Sequence, residues 1–256
     1  MKELFELTQQ SHDYAWLVKR WRAAAKEQNL IMKSIAMVDG QKIYMIKSRN
    51  WQDGGVYISA GAHGDEVAGG EGVLHWVGQR TKQQKKVPLM IFPCLNPWGL
   101  QANVRMDSTG LDLNRAWNVT ENAGICAIKE NVEGHKFAAS LHLHEDYDAQ
   151  GIYLYEVKGR VTQRAWGDEL MQEAGKIIPP DRRAWIEGRK AKNGVIRARF
   201  TQSVIEMAPE AIYLYEKFAE RSFTFETPSE FSLDARIRAQ VAFLNSAVEK
   251  VLGNNT

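Results

Sequence analysis

Apolar residues are spaced at helical intervals in some segments of the chain and at strand intervals in others. A loose helical stripe covers residues 3–28. Alternating apolar residues then flank Asp39-Gly40, which predicts a β-hairpin formed by residues 31–38 and 42–46. Beyond the hairpin, buried strands alternate with amphipathic helices. The strands are predicted at 56–60, 89–92, 137–143, 152–157 and 222–226, and the helices at 67–85, 161–176, 211–221 and 231–252.

This alternation predicts an α/β fold with a mixed, mostly parallel β-sheet and helices on both faces. No internal repeat, low-complexity tract or linker-like segment interrupts the pattern, so a single domain over residues 1–256 is the simplest organisation. Residues 94–118 are predicted to form an ordered loop. Functional side chains in such folds gather at the carboxyl ends of strands. Polar residues stand at predicted strand ends in three places, at 63–66, 144–146 and 226.

Composition narrows the classes of partner. The 33 basic and 31 acidic residues leave a formal charge of +2, which favours neither nucleic acid nor a membrane surface as a partner. No stretch approaches about 18 consecutive apolar residues, so no membrane span is expected. The first residues lack the apolar core of an export signal, and the two cysteines stand in unrelated contexts. We therefore expect a cytoplasmic protein.

His63 and Glu66 are three residues apart in the turn that follows a predicted strand. An imidazole nitrogen and a carboxylate oxygen at this spacing can converge on one cation. Gly61 and Gly64 allow the backbone to turn sharply. For these residues alone, an ordinary surface turn is the competing explanation. Two histidines and a glutamate with one open position form a known catalytic zinc arrangement, so a further histidine is needed.

That histidine is sought at the end of the strand predicted over residues 137–143. His142 and His144 are two residues apart, so both point to the same face of that strand. Because a ligand should lie at the strand's end beside the loop, we predict that His144 binds the metal and that His142 orients a ligand or packs in the core. Glu145 and Asp146 are candidates to hold a ligand imidazole or to bridge a second metal ion. Solvent exposure is the alternative for each acid.

Five motifs together resemble a known family. With them, over roughly residues 55 to 230, the chain resembles the zinc carboxypeptidases of the carboxypeptidase A type and their relatives, the succinylglutamate desuccinylases and aspartoacylases. The motifs occur in the family's order and are His63-Gly-Asp-Glu66, Asn96-Pro-Trp-Gly99, Arg105, Gly110-Leu-Asp-Leu-Asn-Arg115 and Phe223-Thr-Phe-Glu226.

The resemblance implies one Zn²⁺ per chain, bound by His63, Glu66 and the histidine of the later strand. In the aspartoacylase branch that strand ends in Leu-His, seven residues before a glycine. Leu143-His144 and Gly151 match this spacing, which supports His144 a second time.

The resemblance also implies roles for the remaining residues. Arg105 corresponds to the arginine that polarises the scissile carbonyl, Asn114 and Arg115 to the pair that binds a substrate carboxylate, and Glu226 to the general base. The chemistry agrees, because zinc lowers the pKa of bound water to about 7 and a nearby carboxylate can take its proton. A guanidinium can bind a carboxylate through two hydrogen bonds. Surface salt bridging is the alternative for both arginines, and a partly buried structural carboxylate is the alternative for Glu226.

Trp98 is a departure from the family's pattern. Many members have Asn-Pro-Asp-Gly where this chain has Asn-Pro-Trp-Gly. We expect the turn to survive, with an apolar ring in place of a carboxylate. Tyr213 and Tyr215 are candidates for a substrate-side tyrosine, with helix packing as the equal alternative.

The predicted function is that of a zinc-dependent metallocarboxypeptidase or amidase acting on a small peptide. The alternative is an N-acyl amino acid deacylase of the desuccinylase or aspartoacylase kind, which usually continues into a further β-rich domain. Only thirty residues follow Glu226, in a helical pattern, which favours the peptidase, whereas the spacing around His144 favours the deacylase. A catalytically inactive binding module of the same fold is the third hypothesis. The sequence leaves the oligomeric state open.

Overall fold

The structure, a computed structural model, describes residues 10–115, 117–157, 164–198 and 207–254. Its strands are β1 (Leu30–Val38), β2 (Gln41–Ser48), β3 (Gly55–Ala60), β4 (Leu89–Phe92), β5 (Phe137–Asp146), β6 (Tyr153–Val157), β7 (Trp185–Ile186), β8 (Arg189–Lys192), β9 (Val195–Ala198) and β10 (Ser222–Pro228). Its helices are α1 (Tyr14–Glu27), α2 (Val67–Gln79), α3 (Pro97–Ala102), α4 (Ala123–Val132), α5 (Gly167–Ala174), α6 (Glu210–Lys217) and α7 (Leu233–Asn254).

The strands form one mixed sheet in the order β1-β2-β4-β3-β5-β10-β6-β9-β8-β7. The single α/β domain and its mixed sheet are confirmed. The prediction that parallel pairs predominate is wrong, because among the described strands only β3–β4, β3–β5, β5–β10 and β6–β9 are parallel. Hairpins form both edges of the sheet, and strands joined by a tight turn must run antiparallel.

Several predicted elements are present with different bounds. The hairpin of β1 and β2 turns through Asp39 and Gly40, which both have positive φ, as a two-residue type I′ turn requires. Helix α2 ends at Gln79, earlier than predicted. The backbone and side chains of Thr81 and Gln84 hydrogen-bond to each other and start a separate turn. Residues 3–9 and 161–163 of two predicted helices lie outside the described residues.

Helices α3 and α4 and strands β7, β8 and β9 were not predicted. Helix α3 lies within the predicted loop and begins at Pro97, and the side chain of the preceding Asn96 caps it. Asn122 likewise caps α4 by accepting from the backbone N–H groups of Gly124 and Ile125. The three strands have two to four residues each, which is too short for a clear periodic signal.

Helices cover both faces of the sheet, as predicted. Helices α1, α2, α5 and α7 contribute to the larger apolar core. Helices α4 and α6 contribute to the core cluster that contains Tyr57 and Phe92. Phe225 of β10 stacks on Phe243 of α7 with ring centroids 4.4 Å apart. None of the described helices has the length and apolar character needed to cross a membrane.

The centre of the sheet brings three parallel strands side by side. Strand β5 lies between β3 and β10, so the carboxyl ends of all three meet at one edge. In this register Glu226 lies directly beside His144. The segment that starts at His63 follows β3 at the same edge. The fold therefore gathers the three predicted polar clusters in one place.

Candidate metal centre

Three buried side chains converge at the carboxyl ends of β3 and β5. Nδ1 of His63 lies 2.5 Å from Oε1 of Glu66, and Nδ1 of His144 lies 2.7 Å from Oε2 of the same carboxylate. One donor atom from each residue lies within 4.8 Å of the others. All three residues are at most 5% exposed. The structure thus brings together the three residues predicted as metal ligands.

The turn that carries His63 and Glu66 is fixed by close backbone packing. Gly61 has φ +63°, in the region that favours glycine. A Cβ on Gly64 would lie 1.9 Å from the carbonyl carbon of Gly99, so this turn rests on the Asn96–Gly99 turn. Asn96 accepts from the Gly99 N–H and donates to the carbonyls of Arg105 and Met106. The turn is therefore intact around Trp98, whose side chain is partly exposed.

Asp112 holds the outer side of His63 and was missed as a site residue. Its Oδ1 lies 3.0 Å from Nε2 of His63 and accepts from the backbone N–H of Asn114. A carboxylate on one imidazole nitrogen keeps the proton there and leaves the other nitrogen free to bind a metal. The hydrogen bond to Asn114 is a local Asx turn, but no local sequence pattern shows that Asp112 reaches His63, 49 residues away.

Charges within the group shift the pKa values of the histidines and the glutamate in opposite directions. Burial alone would lower the pKa of His63, but Glu66 and Asp112 outweigh it and raise that pKa to about 9. Burial also opposes the rise in the pKa of His144, which Glu66 causes. Both imidazoles overcome the effect of burial on Glu66 and lower its pKa to about 2. Protons therefore compete with a cation for these donors.

Arg105 lies at the open side of the group. Its Nε and Nη2 donate to Oδ2 of Asp112 at 3.1 and 3.0 Å, and its Nη1 lies 3.7 Å from Glu66. The side chain is 39% exposed, so the guanidinium is held by Asp112 and still reachable from solvent. A cation in this place can stabilise negative charge that develops beside the donors.

Asn114 is part of the buried group, whereas Arg115 is exposed. The Oδ1 atom of Asn114 accepts from the Glu210 N–H at 3.1 Å, which turns its Nδ2 towards His144 at 3.4 Å. Nη1 of Arg115 donates to the carbonyl of Asn114. The two residues predicted to bind a carboxylate are therefore neighbours with different surroundings.

Glu226 is half-buried next to His144, on the same face of the sheet. Burial raises the pKa of Glu226 well above its usual range; His144 opposes this, and the charges of Glu66, Glu187 and Asp146 add to it. A bound divalent cation would act in the opposite direction. Glu226 therefore lies where a proton could be taken up or released close to the donors.

His142 lies deeper along β5 than His144. It is buried, and its Nδ1 faces Oγ of Ser59 at 3.0 Å and Oε2 of Glu210 at 3.3 Å. In the described part of the chain, the only group of metal-ligand side chains with converging donor atoms is His63, Glu66 and His144. His142 thus occupies the core position that the sequence suggested for it.

Glu145 and Asp146 also lie outside the group of donors. Glu145 accepts hydrogen bonds from Arg236 and the Ala68 N–H, and Asp146 accepts from the Tyr153 hydroxyl at 2.9 Å. Their carboxylates are therefore engaged with protein donors.

Both candidate tyrosines of α6 pack against apolar or aromatic residues. Tyr213 is buried, with its ring centroid 5.6 Å from Trp117 and 5.9 Å from Phe218. Tyr215 packs against the apolar cluster of Val157, Ala208 and Ile212. Helix packing, the alternative reading for both residues, thus describes their surroundings.

The donor set suits zinc. Two imidazole nitrogens and one carboxylate oxygen are the protein ligands of a common catalytic zinc arrangement, in which the fourth position stays open for water or substrate. The hydrogen bond from Nε2 of His63 to Asp112 is the support that metal-binding histidines usually have. The chemistry of these residues therefore fits a single zinc ion.

Comparisons with known proteins agree with the fold. Residues 52–145 match the family model of the succinylglutamate desuccinylase/aspartoacylase catalytic domain. No curated protein sequence matches the chain significantly. Among solved structures, a proposed metallopeptidase of Shewanella amazonensis SB2B is similar with a TM-score of 0.84 and 23% identity, covering 94% of each chain.

Two metallo-carboxypeptidases share the fold at lower identity. The one from Burkholderia cenocepacia has a TM-score of 0.69 and 15% identity, covering 91% of this chain and 67% of its own. The one from Pseudomonas aeruginosa, in complex with (2-guanidinoethylmercapto)succinic acid, has a TM-score of 0.64 and 16% identity, covering 91% and 69%. At these identities the solved structures show the fold that the chain shares with them. The resemblance is confirmed: the chain has the zinc carboxypeptidase fold, and its segment 52–145 carries the sequence pattern of the succinylglutamate desuccinylase/aspartoacylase catalytic domain.

Proposed function

We propose that the protein is a zinc-dependent hydrolase that cleaves an amide bond next to a free carboxylate in a small peptide. The observation that carries this proposal is the convergence of His63, Glu66 and His144 in a buried group, with Glu226 beside it. Zinc held there would lower the pKa of a bound water to about 7 and so provide a nucleophile at neutral pH. One zinc ion per chain satisfies the three donors.

Glu226 is the proposed general base. Two observations support this role: Glu226 pairs with His144 in the register of β5 and β10, and its burial raises its proton affinity. A base with a raised pKa can take a proton from the attacking water and return it to the leaving amine. A surface glutamate would release that proton to bulk water instead.

Arg105 is proposed to stabilise the oxyanion that forms on the scissile carbonyl. Asp112 fixes two of its nitrogens, so its guanidinium is already oriented before substrate binds. A preorganised donor stabilises the transition state without a further cost of reorientation. Its 3.7 Å distance from Glu66 keeps it beside the donors.

Asn114 and Arg115 are proposed to bind the substrate carboxylate. The bond from the Glu210 N–H to Oδ1 of Asn114 leaves the amide NH₂ facing the site as a donor. Arg115, the next residue in the chain, is exposed and can provide a guanidinium for a carboxylate. A metallo-carboxypeptidase of P. aeruginosa with this fold is in complex with a succinic acid derivative, which supports an acidic group in the substrate here.

A second candidate function is supported by the family match. Because residues 52–145 match the succinylglutamate desuccinylase/aspartoacylase catalytic domain, the substrate could instead be an N-acyl amino acid. Both reactions need the same metal, base and carboxylate contacts. They differ in whether the acyl group removed is a small acid or an amino acid residue.

The first prediction concerns competition between zinc and protons. Because the pKa of His63 is about 9 without a metal, its imidazole holds a proton at pH 7, and the pKa of His144 is raised in the same direction by Glu66. Zinc affinity should therefore increase about tenfold per pH unit for each proton displaced. Chelator competition between pH 6.5 and 8.5, with buffers that do not bind zinc, measures this slope. A protein that binds no zinc would support an inactive binding module.

The second prediction concerns Glu226→Gln. The amide cannot accept the proton of the attacking water, so kcat should fall by about 10²–10⁴-fold while zinc affinity stays within a few-fold of the original. Steady-state kinetics and chelator competition measure the two effects. Glu216→Gln, on the exposed surface of α6, is the control and should change neither. Substantial turnover by Glu226→Gln would refute its role as the base.

The third prediction compares the rates at which the two substrate classes are hydrolysed. The zinc-loaded protein should hydrolyse short peptides, including cell-wall tripeptides, faster than N-acetylaspartate and N-succinylglutamate; the reverse order would favour the deacylase.

Arg115→Ala should lower kcat/KM about 10–100-fold for substrates with a free carboxylate, because it removes a charged hydrogen bond. An equal loss on the corresponding carboxamides would show that Arg115 does not bind the carboxylate.

A further inference from the structure

The carboxylate of Glu145 is buried on the face of β5 opposite His144. Consecutive residues of a strand point to opposite faces, so Glu145 points away from the donors that His144 joins. Its Oε1 accepts from the backbone N–H of Ala68 at 2.8 Å. Its Oε2 accepts from Nη1 of Arg236 and from the Thr227 hydroxyl at 3.4 Å. Four segments of the chain therefore meet at one carboxylate.

Three of those segments carry the residues of the candidate site. Ala68 follows Glu66 by two residues, at the start of α2. Thr227 follows Glu226 directly in β10, and Glu145 itself follows His144 in β5. A shift of any one segment relative to the others would lengthen a hydrogen bond to Glu145. This single side chain therefore links the backbone positions of two proposed ligands and the proposed base.

Helix α7 supplies the fourth segment and the neutralising charge. A buried carboxylate is costly without a partner, and Arg236 from the first turn of α7 provides one with a side chain only 13% exposed. One turn later, Nε2 of Gln240 donates to the backbone carbonyl of His144 at 3.1 Å and to the Thr227 hydroxyl at 3.3 Å. Gly72 of α2 permits this approach, since a Cβ there would lie 2.6 Å from Cβ of Gln240.

We propose that Glu145 is a positioning residue of the metal centre, and that Arg236 and Gln240 of α7 hold it in place. The inference rests on the proposed zinc site, because its effect is to keep Glu66 and His144 at the separation a cation requires. Ligand geometry must be kept within about 0.5 Å for tight binding, and partners one layer behind the ligands typically change metal affinity or activity by 10–100-fold. Glu145 contacts neither the cation nor the substrate.

A matched control exists elsewhere in the same sheet. Glu156 of β6 is as buried as Glu145, at 5% exposure. It also accepts backbone N–H groups at the start of a helix, from Trp166 and Gly167, and it also pairs with an arginine, Arg197. Its neighbour in β10 is Phe223, away from the end that carries Glu226. Both glutamates therefore contribute similarly to the fold, but only Glu145 adjoins the metal centre.

The test compares Glu145→Gln with Glu156→Gln. Zinc affinity of each purified variant is measured by chelator competition, and the unfolding midpoint of each metal-free protein is measured in denaturant. We expect both substitutions to lower the midpoint, because each leaves an arginine without its carboxylate. Glu145→Gln should weaken zinc binding tenfold or more, whereas Glu156→Gln should change it less than twofold.

Gln240→Met is the second variant and serves if Glu145→Gln does not fold. Methionine keeps the packing against Gly72 but cannot donate to the His144 carbonyl, so zinc affinity should again fall, by severalfold. Equal zinc affinities of Glu145→Gln and Glu156→Gln, or of Gln240→Met and the original protein, would overturn the inference while leaving the zinc site standing. Failure of the unsubstituted protein to bind zinc would overturn the proposed function and this inference with it.

Discussion

The buried carboxylate of Glu66, held between two imidazoles, is the constraint on which the rest of the site depends. A carboxylate removed from water is costly unless charged or hydrogen-bonding partners surround it. His63 provides one partner from the same turn, and His144 provides the other from a strand 78 residues away. The pKa of Glu66 is lowered by these imidazoles in spite of burial, so the group is a preformed set of charged donors. A cation that replaces the protons on the two imidazoles would be bound by the same three side chains in nearly the same positions.

The arrangement of the sheet satisfies this requirement. Parallel pairing of β3, β5 and β10 brings three strand ends together, and the register sets Glu226 beside His144. Antiparallel hairpins at the edges complete the sheet without disturbing its centre. Helix α7 and Glu145 pack on the face of the sheet that points away from the donors. Arg105, beside the donors, is partly exposed and can be reached from solvent.

Local sequence patterns predicted much of the fold and the placement of the donors. His142 and His144 point to the same face of β5, and the position of His144 at the strand's end distinguished it as the ligand, while the glycines around His63 predicted a sharp turn. The same reasoning failed for the balance of parallel and antiparallel pairs and for the short strands β7–β9. Short elements carry little periodic signal, and strand direction depends on connections that no local window contains. The residues that support the ligands from behind, such as Asp112 and Arg236, could not be predicted from local patterns for the same reason. Asp112 lies 49 residues from His63, and Arg236 lies 91 residues from Glu145.

Our central proposal is that His63, Glu66 and His144 together hold one zinc ion. X-ray absorption at the zinc edge of the zinc-loaded protein tests it most directly, because it reports the atoms bound to the metal. We predict one zinc per chain with only nitrogen and oxygen neighbours at about 2.0–2.1 Å, and scattering from two imidazole rings. A shell of sulfur at about 2.3 Å, or fewer than two imidazoles, would contradict the assignment of His63, Glu66 and His144.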